Sequence, residues 1–309
     1  MQSTRDAYGS ALVELGRTER KLVVLDADVS KATRTAQFAK AFPDRFINVG
    51  CAEANLIGTA AGLSLTGKIP VASTFAVFAS CRSLDQIRNT VCYPFLNVKI
   101  VATHCGITVG ADGASHQSIE DIAIMRSLPN MTVVVPSDPI ETKKALREAI
   151  YHDGPVYVRL GRVPVPNVTT DDSPFSIGKG LVLREGKDVA ILACGIMVGI
   201  ALQAARYLVE RDISVKVINM HTIKPLDEQL VVEAAQETGA IATVEEHSIL
   251  GGLGGAVAEV ISRSAPVPLE RIGIEDRFAE SGQPNELLEK YGLSVEHIVS
   301  VVKQLISKK

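Results

Sequence analysis

Short apolar runs separated by stretches of helical spacing most constrain the fold of this chain. Four runs in the first half have the length of a β-strand: Leu22 to Asp28, Val98 to Thr103, Met131 to Val135 and Val156 to Leu160. Runs that are apolar on both faces, with helices between them, are typical of a parallel sheet covered by helices on both sides. Residues 1–162 are therefore predicted to form an open α/β sheet domain.

The stretches between these runs predict helices. Ser3-Thr4-Arg5-Asp6 resembles a capping box, and apolar residues follow it at helical spacing to about Arg20. Further helices are predicted at residues 53–65, 81–91, 117–127 and 139–152.

A proline-containing segment without apolar periodicity follows the first domain. Residues 163–184 include Pro164, Pro166 and Pro174 and are predicted to be a linker. Beyond the linker, strand-length runs again alternate with helices, which predicts a second, smaller open α/β sheet domain over residues 185–309, with helices on both faces. Its predicted strands are residues 188–193, 215–219, 240–245 and 271–274, and its last predicted helix is residues 294–306.

Composition argues against several classes of protein. The 309 residues are enough for two cores, and 46% hydrophobic and 22% charged residues describe an ordinary globular protein. A net charge of −3 gives no electrostatic reason to expect nucleic acid or an anionic membrane as a partner. The first residues do not resemble a signal peptide and no apolar run is long enough to span a membrane, so a cytoplasmic protein is expected. Five scattered cysteines without a C-x-x-C pair argue against a disulfide framework or a zinc knuckle.

Polar residues follow several of the predicted strands. Ligands of open α/β sheets bind in the crevice at the carboxyl ends of the strands, so acids, a histidine and arginines are predicted to converge there. The residues at these ends are Asp26-Ala27-Asp28, Thr103-His104-Cys105, Pro136-Ser137-Asp138 and Arg159-Leu160-Gly161-Arg162.

Glu53 lies in a stretch of small and apolar residues, with no basic residue between Arg45 and Lys68. We expect a carboxyl group that is buried there without a partner to favour its protonated form. Such a group is suited to handling protons during catalysis. The alternative is that Glu53 only begins a helix, where the helix dipole favours acids.

A glycine-rich loop between residues 102 and 117 carries two histidines and an acid: His104, Asp112 and His116. A metal site that adds Cys105 is the main alternative. It is disfavoured because adjacent residues at a strand end point to opposite faces and no short-spaced ligand pair is present. Either histidine alone is more often a hydrogen-bonded loop residue, but the pair together with Asp112 favours a functional site.

Two further motifs are less specific. The segment Gly251 to Gly255 suggests a dinucleotide site, but the third small residue of that motif is missing, and a tight turn with close helix packing explains the segment. Phe75 and Phe78 lie three residues apart, either as core residues or as a wall on which a flat aromatic ligand stacks.

Together these motifs resemble the C-terminal half of transketolase, a thiamine-diphosphate enzyme, in the form found where that enzyme is split into two subunits. The resemblance covers essentially the full chain. Its anchors are Ser3-Thr4-Arg5, Asp26-Ala27-Asp28, Gly50 to Asn55, Thr74-Phe75 with Phe78, Thr103-His104, Gly110 to Gln117, and Arg159.

The resemblance implies a pyrimidine-binding domain followed by the smaller transketolase C-terminal domain. It implies that Glu53 hydrogen-bonds the aminopyrimidine ring of thiamine diphosphate as a catalytic acid, that Phe75 and Phe78 stack on that ring, and that Asp28 lies beside the thiazolium.

For the substrate, the resemblance implies a sugar phosphate. Its phosphate group would be held by Arg5, His104 and Arg159 through charge-assisted hydrogen bonds. Asp112 would bind a sugar hydroxyl, and His116 would stabilise charge or move protons at the reacting carbons.

The resemblance also implies a partner. The chain has no G-D-G motif followed by an asparagine, which in this superfamily binds the diphosphate and its cation. An N-terminal subunit is therefore expected to bind the diphosphate with Mg²⁺ or Ca²⁺ in an α2β2 assembly. This chain alone is expected to bind no metal and to be inactive. Two positions depart from the family: Cys81 stands where a tyrosine is common, and a phosphate-binding serine is expected near Ala32, where Ser30 and Thr33 are the nearby hydroxyls.

The implied activity is transfer of a two-carbon ketol unit between sugar phosphates. One alternative is the β subunit of a 2-oxo acid dehydrogenase decarboxylase, which the segment Leu84 to Asn89 resembles. Another is a fragment of 1-deoxyxylulose-5-phosphate synthase, which shares Asp112-Gly113 and His116-Gln117. The non-enzymatic alternative is a half that binds a partner without turnover.

Overall fold

The computed structural model describes residues 1–309, which form two open sheets flanked by helices. The strands are β1 (Gln2–Ser3), β2 (Leu22–Asp26), β3 (Phe46–Asn48), β4 (Ile69–Phe75), β5 (Lys99–Thr103), β6 (Thr132–Val134), β7 (Val156–Arg159), β8 (Pro164–Val165), β9 (Leu181–Arg184), β10 (Val189–Ala193), β11 (Val215–Asn219), β12 (Thr222–Lys224), β13 (Ile241–Ser248) and β14 (Leu269–Ile274). The helices are α1 (Thr4–Thr18), α2 (Ser30–Thr33), α3 (Ala36–Ala41), α4 (Glu53–Leu65), α5 (Ala76–Arg82), α6 (Asp121–Ser127), α7 (Pro139–Tyr151), α8 (Met197–Val209), α9 (Glu228–Thr238), α10 (Leu253–Ser264), α11 (Pro284–Lys290) and α12 (Val295–Ile306).

The first sheet has seven strands in the order β12-β6-β7-β5-β4-β2-β3, and all of them are parallel except β12. Strands β2, β5, β6 and β7 correspond to the four predicted runs, and every residue in them is buried. The predicted fold class, α/β with open sheets between helices, is confirmed.

Strand β4 was not among the predicted strands, although it lies near the centre of the sheet between β2 and β5. Its second residue is Pro70, and a proline inside an apolar run argues against a central strand. Beyond β4, the predicted helix at 81–91 is displaced: α5 begins at Ala76, and the segment Gln86–Cys92 is π-helical. Because β4 ends at Phe75, α5 begins at the carboxyl edge of the sheet.

The second sheet has the order β14-β13-β10-β11-β9, and only β9 is antiparallel to its neighbour. Successive side chains of β10 point to opposite faces. Val189 and Ile191 pack in the cluster that contains α8 and α12, whereas Ala190 and Leu192 pack in the cluster that contains α9 and α10. This alternation produces the predicted sheet with helices on both faces.

The predicted linker, residues 163–184, contains regular structure. Strand β8 pairs with β1 and strand β9 forms the edge of the second sheet. The buried carboxylate of Asp138 accepts hydrogen bonds from the backbone N–H groups of Val168 and Thr169, at 2.8 and 2.6 Å. These contacts hold the segment against the first domain.

The two domains share one hydrophobic cluster of 39 buried residues, which includes Leu25 and Val135 of the first domain and Leu192 and Met220 of the second. Strand β12 leaves the second domain and extends the first sheet. The chain contains no helix that is both long and apolar enough to cross a membrane.

Candidate active site

Aromatic rings meet at the carboxyl edge of the first sheet. Phe75 ends β4, and its ring stacks on His104, with 3.9 Å between the ring centroids, and on Phe78, with 5.6 Å. His116 lies edge-on to Phe78 at 5.3 Å. Both phenylalanine rings are only half-buried, so neither belongs entirely to the core. The structure therefore brings together both histidines and both phenylalanines that the sequence singled out.

Glu53 is the first residue of α4 and is 7% exposed. The expectation that it has no partner is wrong, because Arg82 Nη1 lies 3.1 Å from Glu53 Oε1. Arg82 comes from the end of α5, and its Cζ also lies 4.0 Å from the centroid of the Phe78 ring. A local scan for basic residues near Glu53 misses a partner 29 residues further along the chain. We call Glu53, Phe75, Phe78, Arg82, His104 and His116 the site cluster.

His104 is buried beside Arg5. Its Nε2 lies 3.0 Å from Arg5 Nη1, and its Nδ1 lies 2.8 Å from Thr103 Oγ1. A guanidinium only donates, so Nε2 accepts and Nδ1–H donates to the threonine. Burial, with the positive charges of Arg5 and Arg162 adding to it, lowers the pKa of His104 to about 3. The imidazole is therefore neutral near pH 7.

Three guanidinium groups surround this histidine, and we call Arg5, Arg34 and Arg162 the cationic rim. Burial first, and then the charge of Arg34, lowers the pKa of Arg5. The buried Nε of Arg5 has no hydrogen-bond partner in the chain. Arg34 pairs with Asp6 at 2.6 Å, and Arg162 pairs with Asp112 at 3.0 Å. A partly buried rim of this kind, with an unpaired donor, is suited to binding an anion.

Arg159 does not lie with the other predicted site residues. It is the last residue of β7 and is 3% exposed, and its Nε donates to Asp121 at 2.8 Å. Its Nη2 donates to the carbonyl oxygens of Ser118 and Glu246, so the guanidinium is enclosed between the two domains. Arg162, three residues further on, lies beyond the strand and reaches the rim. In the sequence, only the position of Arg162 after the end of the predicted strand distinguishes it from Arg159.

Asp28 lies on the same edge, in the turn after β2. It is exposed and accepts a hydrogen bond of 2.8 Å from Asn48, at the end of β3. The neighbouring Asp26 is buried instead, and its carboxylate accepts hydrogen bonds from Thr33 and Thr35. Of the two acids, Asp28 is therefore the one available to a ligand.

Residues 106–117, which we call the glycine loop, carry Asp112 and His116. Gly106, Gly110 and Gly113 have positive φ angles, which glycine adopts without steric cost. Asp112 is exposed at the loop surface and pairs with Arg162, whereas His116 points to the phenylalanine rings. Nowhere in the chain do three potential metal ligands come together.

The space beside the segment Gly251 to Gly255 is occupied by the side chain of Glu245. The Glu245 carboxylate accepts hydrogen bonds of 2.8 Å from the N–H groups of Leu253 and Gly254 at the beginning of α10. A Cβ atom at Gly252 would overlap that carboxylate. These contacts agree with a tight turn and leave no space for the phosphates of a dinucleotide.

Known proteins resemble the chain over nearly its full length. The family models for the transketolase pyrimidine-binding domain and the transketolase C-terminal domain match residues 1–167 and 178–298. The putative transketolase C-terminal section of Methanocaldococcus jannaschii is 52% identical over 307 residues, which cover 98% of this chain and 96% of that protein. The 6-deoxy-6-sulfo-D-fructose transketolase subunit of a Clostridium species is 45% identical over 305 residues, which cover 99% of this chain and 95% of that protein.

Among solved structures, one described as a split gene transketolase, inactive beta4 tetramer, superimposes with a TM-score of 0.94 at 55% sequence identity, and the match covers 99% of each chain. The two domain families occur here in the same order as the two sheets of the structure. The chain therefore belongs to the transketolase family of thiamine-diphosphate enzymes.

Proposed function

We propose that this chain is the C-terminal subunit of a split transketolase, which transfers a two-carbon ketol unit from a ketose to an aldose with thiamine diphosphate. The observation that carries this proposal is one continuous line of contacts. It runs from a buried carboxylate, Glu53, through the Arg82 guanidinium and then the rings of Phe78 and Phe75 to His104 and Arg5. A flat cofactor ring and an anionic substrate would thus meet at one edge of the sheet.

The residues present fit the aminopyrimidine ring of the cofactor. The Arg82 guanidinium is planar, lies over the Phe78 ring and donates an N–H to Glu53. A planar ring with an N–H donor would make the same two contacts. The Arg82 side chain is more than half exposed, so its displacement would cost little.

When bound, thiamine diphosphate supplies the nucleophilic carbon that takes up the ketol unit. Glu53 would hold the ring nitrogen through a hydrogen bond, in a position where water has little access. Phe75 and Phe78 would cover one face of the ring, and Asp28 would lie near the thiazolium part.

The cationic rim would hold the anionic end of the sugar. We assign the phosphate group to Arg5 and Arg162, with the neutral His104 as a hydrogen-bonding neighbour. Arg159 is left out because its guanidinium is already committed to Asp121 and to two carbonyl groups. Asp112 would bind a sugar hydroxyl, and His116 would stabilise charge or move a proton at the reacting carbons.

A second polypeptide would bind the diphosphate and its cation, Mg²⁺ or Ca²⁺. We propose an N-terminal transketolase subunit in an α2β2 assembly, and we expect the isolated chain to be inactive. The description of the similar solved structure as an inactive tetramer supports this expectation.

Sugar phosphates are the proposed substrates. One relative is named for 6-deoxy-6-sulfo-D-fructose, whose sulfonate is also an anion held at the end of a sugar. The cationic rim is suited to either anion. Parallel assays with xylulose 5-phosphate and with the sulfonated sugar, using ribose 5-phosphate as acceptor, distinguish the two.

Substitution of Glu53 tests the proposed function directly. In the complex with an N-terminal subunit, Glu53→Gln should leave the fold intact and slow hydrogen–deuterium exchange at the thiazolium carbon by about 100-fold or more, because the carboxylate no longer accepts the hydrogen bond from the ring. Exchange is measured by NMR after acid quench. Asp44→Asn, which changes an exposed acid outside the site cluster, serves as the control. Exchange at the wild-type rate in Glu53→Gln would refute the role of Glu53.

A further inference from the structure

Side chains at the end of strand β13 contact both domains. Glu245, Glu246 and His247 are consecutive and buried, and successive residues of a strand point to opposite faces. Glu245 caps α10 in its own domain. Glu246 Oε1 instead accepts a hydrogen bond of 2.7 Å from the backbone N–H of Thr108, in the first domain.

The Glu246 carboxyl group is packed directly against the glycine loop. Gly106 has a φ of +72°, and a Cβ atom at that position would overlap the carboxyl group. Glu246 is 3% exposed, so water cannot readily replace its hydrogen bond to Thr108. The first turn of the loop is therefore built around this side chain.

Two further contacts connect the second domain to the same loop. Ser281 Oγ donates a hydrogen bond of 2.6 Å to the carbonyl oxygen of Ala111. Gln117 Nε2 donates to the carbonyl oxygen of Glu280 at 2.9 Å. The loop is thus contacted at its beginning, middle and end, and Glu246 supplies the only side-chain carboxylate among these contacts.

We propose that Glu246 is a positioning residue: through the backbone of Thr108 it lets the second domain hold the glycine loop, so that His116 faces the phenylalanine pair and Asp112 stays paired with Arg162. The catalytic part of this inference rests on the proposed function, because it takes Asp112 and His116 as groups that meet the substrate. This inference gives the second domain a role at the site, although no residue of the site cluster belongs to that domain.

The position of the acceptor atom, and not the charge, should matter. Glu246→Gln keeps an oxygen in the place of Oε1, whereas Glu246→Asp keeps the charge but withdraws the carboxylate by about 1.5 Å. Burial raises the pKa of Glu246 to about 7, so the neutral form that glutamine resembles is populated near neutral pH. We expect Glu246→Gln to behave like the wild type and Glu246→Asp to be impaired.

The first measurement uses the chain alone, without cofactor or partner. Amide hydrogen exchange at Thr108, followed by NMR, should rise by about 10-fold in Glu246→Asp and stay unchanged in Glu246→Gln. Glu245→Gln is the matched control: it changes the adjacent buried carboxylate, which caps α10, and should leave exchange at Thr108 unchanged.

The second measurement uses the complex with the N-terminal subunit. In Glu246→Asp, kcat should fall by about 10- to 100-fold while KM changes much less, because the loop carries His116, whereas Arg5 of the cationic rim makes its contacts with Ala32 and His104, outside the loop. If Glu246→Asp fails to fold, Gly106→Ala displaces the loop from the other side and should give the same kinetic result.

Each outcome decides the proposal. Impairment in Glu246→Gln with full activity in Glu246→Asp would mean that the charge acts and would overturn it, as would wild-type exchange at Thr108 in Glu246→Asp. If the wild-type complex transfers no ketol unit, the proposed function fails, but exchange at Thr108 still decides whether Glu246 holds the loop.

Discussion

At the scale of single residues, burial and partners separate side chains that look alike in the sequence. Arg159 and Arg162 are three residues apart, yet the first is enclosed between the domains with Asp121 and the second reaches the rim with Asp112. The difference arises because β7 ends at Arg159, so its side chain still points into the structure. The direction in which a side chain points therefore predicts a site residue better than its residue type near a strand end does.

The neutral state of His104 predicts a flat NMR titration. Because the folded protein lowers the pKa of His104 to about 3, below about 6.5 for an unfolded histidine, the unfolded chain binds the proton first as the pH falls. The contribution of the neutral His104 to the free energy of unfolding is therefore complete above about pH 6.5 and is lost as the pH falls toward 3. The ring resonances of His104, assigned with His104→Asn, should not move between pH 8 and pH 5.5. A midpoint near 6.5, as for free histidine, would contradict the buried contact with Arg5.

At the scale of elements, buried carboxylates accept hydrogen bonds from the first N–H groups of several helices, and one of them also holds a neighbouring segment of the chain. Asp138 is the N-cap of α7: its carboxylate accepts from Glu141 N at 2.8 Å and also holds the backbone of the segment after β8. The sequence predicted this helix within one residue at each end. It did not predict that the same cap would fix the segment expected to be a linker.

Asp138→Ala should destabilise the protein far more than loss of an ordinary helix cap. The substitution leaves the N–H groups of Glu141, Val168 and Thr169 without an acceptor in a buried place, which costs about 3 kcal/mol or more. Ser294→Ala removes one N-cap hydrogen bond at the surface helix α12 and should cost about 1 kcal/mol. Urea unfolding followed by circular dichroism measures both. Equal losses would show that the linker contacts of Asp138 contribute nothing.

At the scale of the whole molecule, the two domains are not independent bodies. Strand β12 of the second domain completes the first sheet, and the largest hydrophobic cluster contains Val135 from one domain and Met220 from the other. Glu246 and Arg159 add polar contacts across the same boundary. The second domain therefore supports the first both in its core and at the carboxyl edge of the first sheet.

A fragment of residues 1–167 should fail to adopt the native fold of the first domain. It lacks β12 and exposes the part of the shared core that the second domain covers, which removes apolar burial worth several kcal/mol at about 25 cal/mol per Å². Near-ultraviolet circular dichroism of the fragment should lack the fine structure of the full chain, and the full chain should unfold in one calorimetric transition. Two separate transitions in the full chain would contradict this prediction.

The sequence by itself determined the α/β class, the alternation of strands with helices, most strand positions and the set of polar residues at the carboxyl ends of the strands. These features follow from local periodicity and from the general geometry of parallel sheets. Only the tertiary structure decided that Arg82 pairs with Glu53, that Arg162 and not Arg159 reaches the rim, and that Glu246 holds the glycine loop. Each of these contacts joins residues 29 or more positions apart, and which side chains meet across such distances depends on how the whole core packs.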